Sequence, residues 1–177
     1  MKTIHYTLTF FSDWHCGSGL SAGADLDALV VKDAHGLPFV PGKTIKGLLR
    51  EQVEMLIDAR KLAMAAQVKD TFGEFTTQQG TLFCSNAELP EQKEIVDGGL
   101  VEYLYRSLSF TAIGEEGVAQ THSLRKMEAV VPCSLEGWIS GIPDDMYDII
   151  KDGLSLIKRL GTHRSRGLGR CQFAIKD

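Results

Sequence analysis

Two carboxylates, Asp25 and Asp27, stand at the end of a glycine-rich stretch running from Gly17 to Gly23, just before the apolar run Ala28 to Val31. A carboxylate pair in such a loop can hold a hydrated divalent cation or accept a proton. It can equally be a solvated turn, and the residues alone leave both readings open. A second group is cationic. Lys43, Lys46 and Arg50 recur at i, i+3 and i+7 of a helical pattern, along one flank of its start. Free N–H groups there, with Lys43, can receive a phosphate; an ordinary solvated helix face is the plain alternative. The third group is the segment Gly161-Thr-His-Arg-Ser-Arg-Gly-Leu-Gly-Arg170, with three glycines, three arginines, a histidine and two hydroxyls. Glycine lets a backbone approach a ligand closely, and guanidinium forks match phosphate oxygens. A helix C-cap would explain Gly161 only, so His163, Arg164, Ser165, Arg166 and Gly167 point to phosphate or nucleic-acid contact.

Several other chemistries are excluded. Pro41-Gly42-Lys43-Thr44 resembles a P-loop end, but the motif needs glycine at position 37, which is Leu37. No Gly-x-Ser-x-Gly elbow occurs, so serine hydrolase chemistry has no support. Cys16, Cys84, Cys133 and Cys171 form no C-x-x-C pair and read as reduced core thiols. His15, beside Cys16, has no partner at ligand spacing and reads as a satisfied polar histidine. The amino-terminal residues lack a signal-peptide pattern and a spanning segment, so the cytoplasm is expected. The net charge is −4, from 19 Lys and Arg against 23 Asp and Glu, which looks wrong for a nucleic-acid binder. Distribution matters more: basic residues gather at Lys43 to Arg50 and Lys158 to Arg170, and acidic ones elsewhere.

The elements that must position these groups follow from periodicity. The 177 residues, of which 44% are hydrophobic, suit a single domain spanning 1–177. Residues 3–11 alternate as a strand, and Ala28 to Val31 reads as a short second one. Ile45, Leu48, Leu49, Val53, Leu56 and Ile57 mark an amphipathic helix to about Ala66. Gly80 to Ala87 reads as a strand, and Lys126 to Ser140 as one long strand with Pro132 at a bulge or edge. A second helix opens at Pro143 and runs through Leu160, and a last strand covers Cys171 to Ile175. Strand–helix–strand twice over is the α+β, ferredoxin-like pattern. Residues 88–125 are irregular and read as an insertion between its halves.

Three blocks carry a resemblance: His15-Cys-Gly-Ser-Gly19; Val30-Val-Lys-Asp-Ala-His-Gly-Leu-Pro-Phe-Val-Pro-Gly-Lys-Thr-Ile-Lys-Gly-Leu-Leu-Arg50; and Gly161 to Arg170. Together they resemble the RAMP superfamily of CRISPR-associated proteins. Leu124-Arg-Lys-Met-Glu-Ala-Val-Val-Pro132 is similar to that family's "R-x-x-E-x-V-x-P" block. The resemblance implies a modified RNA-recognition-motif domain, with the insertion forming a β-hairpin thumb. It implies copies and relatives stacked along a guide RNA in a type III effector complex, and a complementary target RNA as second partner. In the backbone subunit of such complexes a catalytic aspartate precedes "V-x-K-D", and here Asp27 falls at that position, with Asp25 as the neighbouring fallback. Ala28 follows it, where many members have a small hydroxyl residue or proline.

The expected activity is therefore endoribonuclease cleavage of target RNA, with Mg2+ or another divalent cation as cofactor. Lys43, Lys46, Arg50, Arg125, His163, Arg164, Ser165, Arg166 and Gly167 are the expected RNA contacts. Three other readings are a non-catalytic guide-RNA scaffold, a guide-processing endonuclease and an unrelated small metabolic domain. Guide-processing enzymes of the superfamily generally have two such domains, which 177 residues hardly accommodate.

Overall fold

The computed structural model describes residues 1–22, 26–74, 78–114, 116–118, 120 and 123–176. In chain order the elements are β1 (Lys2–Phe10), α1 (Gly42–Arg60), α2 (Ala65–Phe72), β2 (Gly73–Glu74), β3 (Gln78–Gln79), β4 (Phe83–Cys84), α3 (Gln92–Asp97), β5 (Tyr105–Phe110), β6 (Arg125–Val130), β7 (Ser134–Ile142), α4 (Tyr147–Leu156) and β8 (Cys171–Lys176). The main sheet has the order β4-β7-β1-β8, every neighbour antiparallel. With α1 between β1 and β4, and α4 between β7 and β8, this is the ferredoxin-like arrangement.

Alternation along β1 decides which way the sheet faces. Ile4, Tyr6, Leu8 and Phe10 are buried while Thr3 and His5 are exposed, so one face carries the core. Register carries this across the sheet, with Leu8 opposite Leu135 on one side and Phe173 on the other. Helix α1 buries Ile45, Leu49, Val53 and Ile57 in this core, and α4 buries Ile149, Ile150 and Leu154. The two helices cross closely at Gly153, where a Cβ would lie 3.0 Å from Val53 Cγ2 and 3.1 Å from Leu49 Cδ1.

Four expectations about elements need correction. Helix α1 stops at Arg60, because Lys61 turns left-handed (φ 53°) and its N–H returns to the Asp58 carbonyl; α2 is a separate helix. The expected long strand over Lys126 to Ser140 is two strands, β6 and β7, in different sheets. Pro132 brings no N–H to a ladder, and the flanking Val131 N–H and Cys133 carbonyl bond elsewhere, to Leu104 and Phe10. Ala28 to Val31 forms isolated bridges, to Met127 and Gly17, and not a ladder. Helix α4 ends at Leu156, so Gly161 caps no helix.

The insertion is ordered around a hairpin. Strand β5 pairs with β6 from Tyr105 opposite Val130 to Phe110 opposite Arg125, in a two-stranded sheet of its own. At the Val130 end it is moored to the core by Trp14, which bridges Val130 and stacks on Phe10 at 4.5 Å. Helix α3 packs against the core through Ile95 and Val96. Among the described residues no helix is long and apolar enough to cross a membrane.

All four cysteines are free thiols. Burial pushes those of Cys16, Cys84 and Cys171 from 9.0 up to about 12. At pH 8 the native chain should therefore react very slowly with a thiol reagent at these three positions, and fully once denatured. Below the ordinary value of 9.0 both states hold the proton, so these thiols add no pH dependence. Between there and about 12 only the unfolded chain loses them, so stability should fall as pH rises through that window. Denaturant midpoints across alkaline pH check the sign.

Candidate nucleic-acid interface

The closing basic segment is a loop pinned at its neck. Leu160 N–H donates to the Gly169 carbonyl at 2.9 Å, and Cys171 N–H to the Lys158 carbonyl at 2.9 Å. Both arms of the loop are tied to β1's extension: Thr162 N–H to the His15 carbonyl at 3.0 Å, Gly169 N–H to the Asp13 carbonyl at 2.8 Å, and Arg170 N–H to Ser12 Oγ at 3.0 Å. Gly161 and Gly169 are required by these contacts. Both have positive φ, and a Cβ would sit 2.4 Å from the His15 carbonyl oxygen at Gly161 and 1.9 Å from that of Leu160 at Gly169. The tip, Arg164 to Gly167, is exposed and turns as a short 3-10 segment after His163, itself left-handed at φ 55°.

This tip divides two clefts. On one side, a cleft of about 390 Å³ is lined by Asp27, Phe110, Ser123, Arg125, Lys126, His163 and Arg166, with neighbouring backbone. On the other, a cleft of about 370 Å³ includes His15, Ser18, Lys43, Thr44, Thr162 and Arg164 in its wall. The structure thus brings Asp27, Arg125, His163 and Arg166 together, and separately Lys43 with Arg164. His163 stacks on Phe110 of the hairpin at 4.7 Å between ring centres, joining the loop to β5.

Asp27 is exposed but fixed. Its Oδ2 accepts the Lys126 N–H at 2.8 Å, and its own N–H donates to the Lys126 carbonyl at 2.8 Å. Ala28 then bridges Met127 in parallel, so the aspartate loop runs beside the hairpin's second arm. Oδ1 has no bonded partner among the described residues. Asp25 lies outside the described residues.

Lys46 and Arg50 share a helix flank with Lys43, but the structure does not bring them to the loop. Lys46 Nζ donates to the Leu82 carbonyl at 2.8 Å. Arg50 donates to the Gly73 carbonyl at 2.9 Å and pairs with Glu54 at 2.7 Å. Backbone acceptors on the next segment therefore claim both cations. The start of α1 is also less open than its sequence suggests. Asn86 Oδ1 takes the Gly42 N–H at 3.0 Å, and Thr44 N–H turns back to Pro41.

The acidic position of the Leu124–Pro132 block, to which the sequence assigns no role, is Glu128, which is 8% exposed. Its Oε2 accepts the Val30 N–H at 3.0 Å, its Oε1 pairs with Lys32 at 2.8 Å, and its backbone oxygen meets His15 Nδ1 at 2.6 Å. His15 is thus the satisfied polar histidine expected. Phe110, outside every motif, and Lys126, at an unspecified position of the Leu124–Pro132 block, were not expected in the site; both reach the cleft through strand pairing.

A family model, the RAMP superfamily, matches residues 7–172. This chain belongs to the RAMP superfamily. Its fold is similar to that of a chain in the cryo-EM structure of the type III-B Cmr-beta bound to cognate target RNA. The TM-score is 0.73 at 10% identity, covering 99% of this chain and 97% of that one. No curated protein matches the sequence.

In this RAMP domain, no three His, Cys, Asp or Glu side chains converge on a metal site among the described residues. Among the described residues the cleft supplies one carboxylate, that of Asp27. That donor set fits a Mg2+ shared with RNA phosphates, since Mg2+ needs only one or two carboxylates when phosphate and water complete its shell.

Glu128→Ala should cost about 2 kcal/mol, because it orphans the Val30 N–H and leaves Lys32 without its partner. Glu128→Gln keeps an acceptor and should cost about half as much. Gly169→Ala should cost more than either, while Gly167→Ala, with open space around it, should cost only about 1 kcal/mol for its left-handed backbone. Urea denaturation of the four variants gives the ranking.

Proposed function

We propose that this RAMP domain is a guide-RNA-binding backbone subunit of a type III CRISPR effector complex, and that it cleaves complementary target RNA at Asp27. The observation that carries the reading is the cleft that sets the fixed Asp27 carboxylate among Arg125, Lys126, His163 and Arg166, at the Phe110–Arg125 end of the β5–β6 hairpin. A carboxylate repels phosphate unless cations offset its charge, and Arg125, Lys126 and Arg166 line the same cleft. The similarity to a chain of an assembly bound to cognate target RNA agrees with this. The partners are then guide RNA, target RNA, further effector subunits and copies of this chain, working in the cytoplasm.

The chain's own groups have distinct tasks. Arg164, Ser165, Arg166 and Gly167, with Lys43 on one flank, hold guide phosphates at the exposed tip without reading bases. Arg125 and His163 bound the Asp27 cleft, where the hairpin opens the duplex and lets one nucleotide turn outward. A splayed nucleotide can place its 2′-oxygen in line with the adjacent phosphorus. Attack there breaks the bond to the 5′-oxygen and leaves a 2′,3′-cyclic phosphate and a 5′-hydroxyl. Asp27 Oδ1 accepts the 2′-hydroxyl proton as the attack begins, and the departing 5′-oxygen takes up a proton in turn, while the Lys126 N–H fixes Oδ2. A bound Mg2+ would supply Lewis-acid stabilisation of the phosphorane charge.

A scaffold without catalysis is the second reading, favoured by the structural bond from Lys126 N–H to Asp27. Asp27→Asn separates the two, since an amide oxygen can still accept that bond while the charge is lost. With assembled complex, matched labelled RNA and magnesium, Asp27→Asn should lose cleavage at least 100-fold while guide and target binding stay unchanged, a loss of the size that removing a positioned catalytic group brings. Regularly spaced products from the Asn variant at wild-type rate would leave the scaffold reading. Arg164→Ala with Arg166→Ala should weaken binding alike across unrelated guides and flatten its salt dependence; a loss confined to one guide would move the phosphate contacts elsewhere.

A further inference from the structure

A third hollow, of about 330 Å³, opens at the neck of the closing loop, away from the two clefts at its tip. Phe11, Lys158, Arg159, Arg170, Cys171 and Gln172 line it. All but Cys171 are exposed, Phe11 by 51%. Backbone pairing assembles them: Phe11 N–H donates to the Arg170 carbonyl at 2.8 Å, and Arg159 and Arg170 face each other across an antiparallel bridge. The Arg170 guanidinium lies 5.6 Å from the centre of the Phe11 ring.

Some cations elsewhere on the surface are neutralised by a neighbour. Arg50, Arg60, Lys69 and Lys176 each pair with a carboxylate. Lys158, Arg159 and Arg170 enter none of the ion pairs among the described residues, and no carboxylate lines their hollow. Three like charges held together on a chain of net charge −4 leave a concentrated positive field that a polyanion relieves. A half-exposed ring beside unpaired cations is also the pairing that holds single strands, the ring taking a base and the cations the phosphates. Arg159 ties the hollow to the loop tip, since its guanidinium donates to the Arg164 carbonyl.

We propose that this hollow is a second subsite for single-stranded RNA, with one base stacked on Phe11 and with Lys158 and Arg170 on the flanking phosphates. Arg159 stays anchored to the loop and adds charge, and the Gln172 amide faces the same strand. The inference rests on the RNA-binding part of the reading above but not on cleavage.

The test is fluorescence anisotropy of the full chain with a labelled oligouridylate, across a salt series without magnesium. Lys158→Ala with Arg170→Ala should weaken binding about tenfold and reduce the salt slope by about 1.4, roughly 0.7 for each lost phosphate contact. Phe11→Ala should weaken it about fivefold or more with the slope unchanged, and Phe11→Trp should retain it. Thermal melts should match wild type for the exposed double variant. If that variant keeps full affinity and slope while Arg164→Ala with Arg166→Ala loses both, the hollow is no subsite and the loop reading stands. If the double variant binds RNA normally but changes self-association in sedimentation, the hollow serves an acidic protein surface and the proposal is overturned. If the wild-type chain binds no oligouridylate, this inference and the RNA-binding reading fail together.

Discussion

A buried carboxylate holds the site together. Glu128 sits on β6, yet its oxygens take the Val30 N–H and the Lys32 ammonium, which belong to the strand-like segment after Asp27. Its backbone oxygen also meets the ring of His15, in the segment that receives the closing loop. One residue therefore links the hairpin, the aspartate loop and the turn beneath the basic loop. A carboxylate removed from water is costly unless hydrogen bonds and a counter-charge replace its solvent. Here all are supplied, and Lys32 is further placed over the Tyr105 ring at 4.0 Å. Tyr105 in turn donates its hydroxyl to the Gly36 carbonyl at 2.5 Å, closing the circuit on the turn that precedes α1.

The basic loop obeys a different constraint, one of space. Its neck passes so close to the His15 and Leu160 carbonyls that a side chain at Gly161 or Gly169 has no room. Glycine there brings the two chain segments together, and the arginines are thrown outward at the tip. Arg164 and Arg166 fall two residues apart on a short 3-10 turn and so line different clefts. A single loop can then touch a strand on one side and the aspartate on the other. This reconciles an acidic chain with an RNA-binding reading. The acids are spread over the surface, several of them paired with cations, while Lys158, Arg159, Arg164, Arg166 and Arg170 cluster on one loop and enter no ion pair among the described residues.

The architecture was legible where burial is periodic. Alternation in residues 3–11 and the i, i+3, i+4 recurrence after Gly42 gave β1 and α1, and the two split units gave the ferredoxin-like order. It was illegible where hydrogen bonds override pattern. Lys126 to Ser140 alternates without interruption, yet the chain leaves one sheet for another at Pro132, where the ladder has no donor. Lys43, Lys46 and Arg50 lie on one flank by helical geometry, yet two of them are captured by carbonyls of Leu82 and Gly73 that are remote in sequence.

By itself the sequence determined the superfamily, the α+β class, the glycine-bearing basic loop and the position of Asp27, because each is written in contiguous residues or in a short period. Tertiary structure alone decided which of those residues meet. Asp27 reaches Lys126 across 99 positions, and Val30 reaches Glu128 across 98. His163 finds Phe110, and Phe11 finds Arg170, only after strands pair. Such contacts depend on register and on the route of each connection through the fold. No local pattern encodes them, since the energy that fixes the register comes from burying the whole face of a sheet and not from the residues that face the cleft.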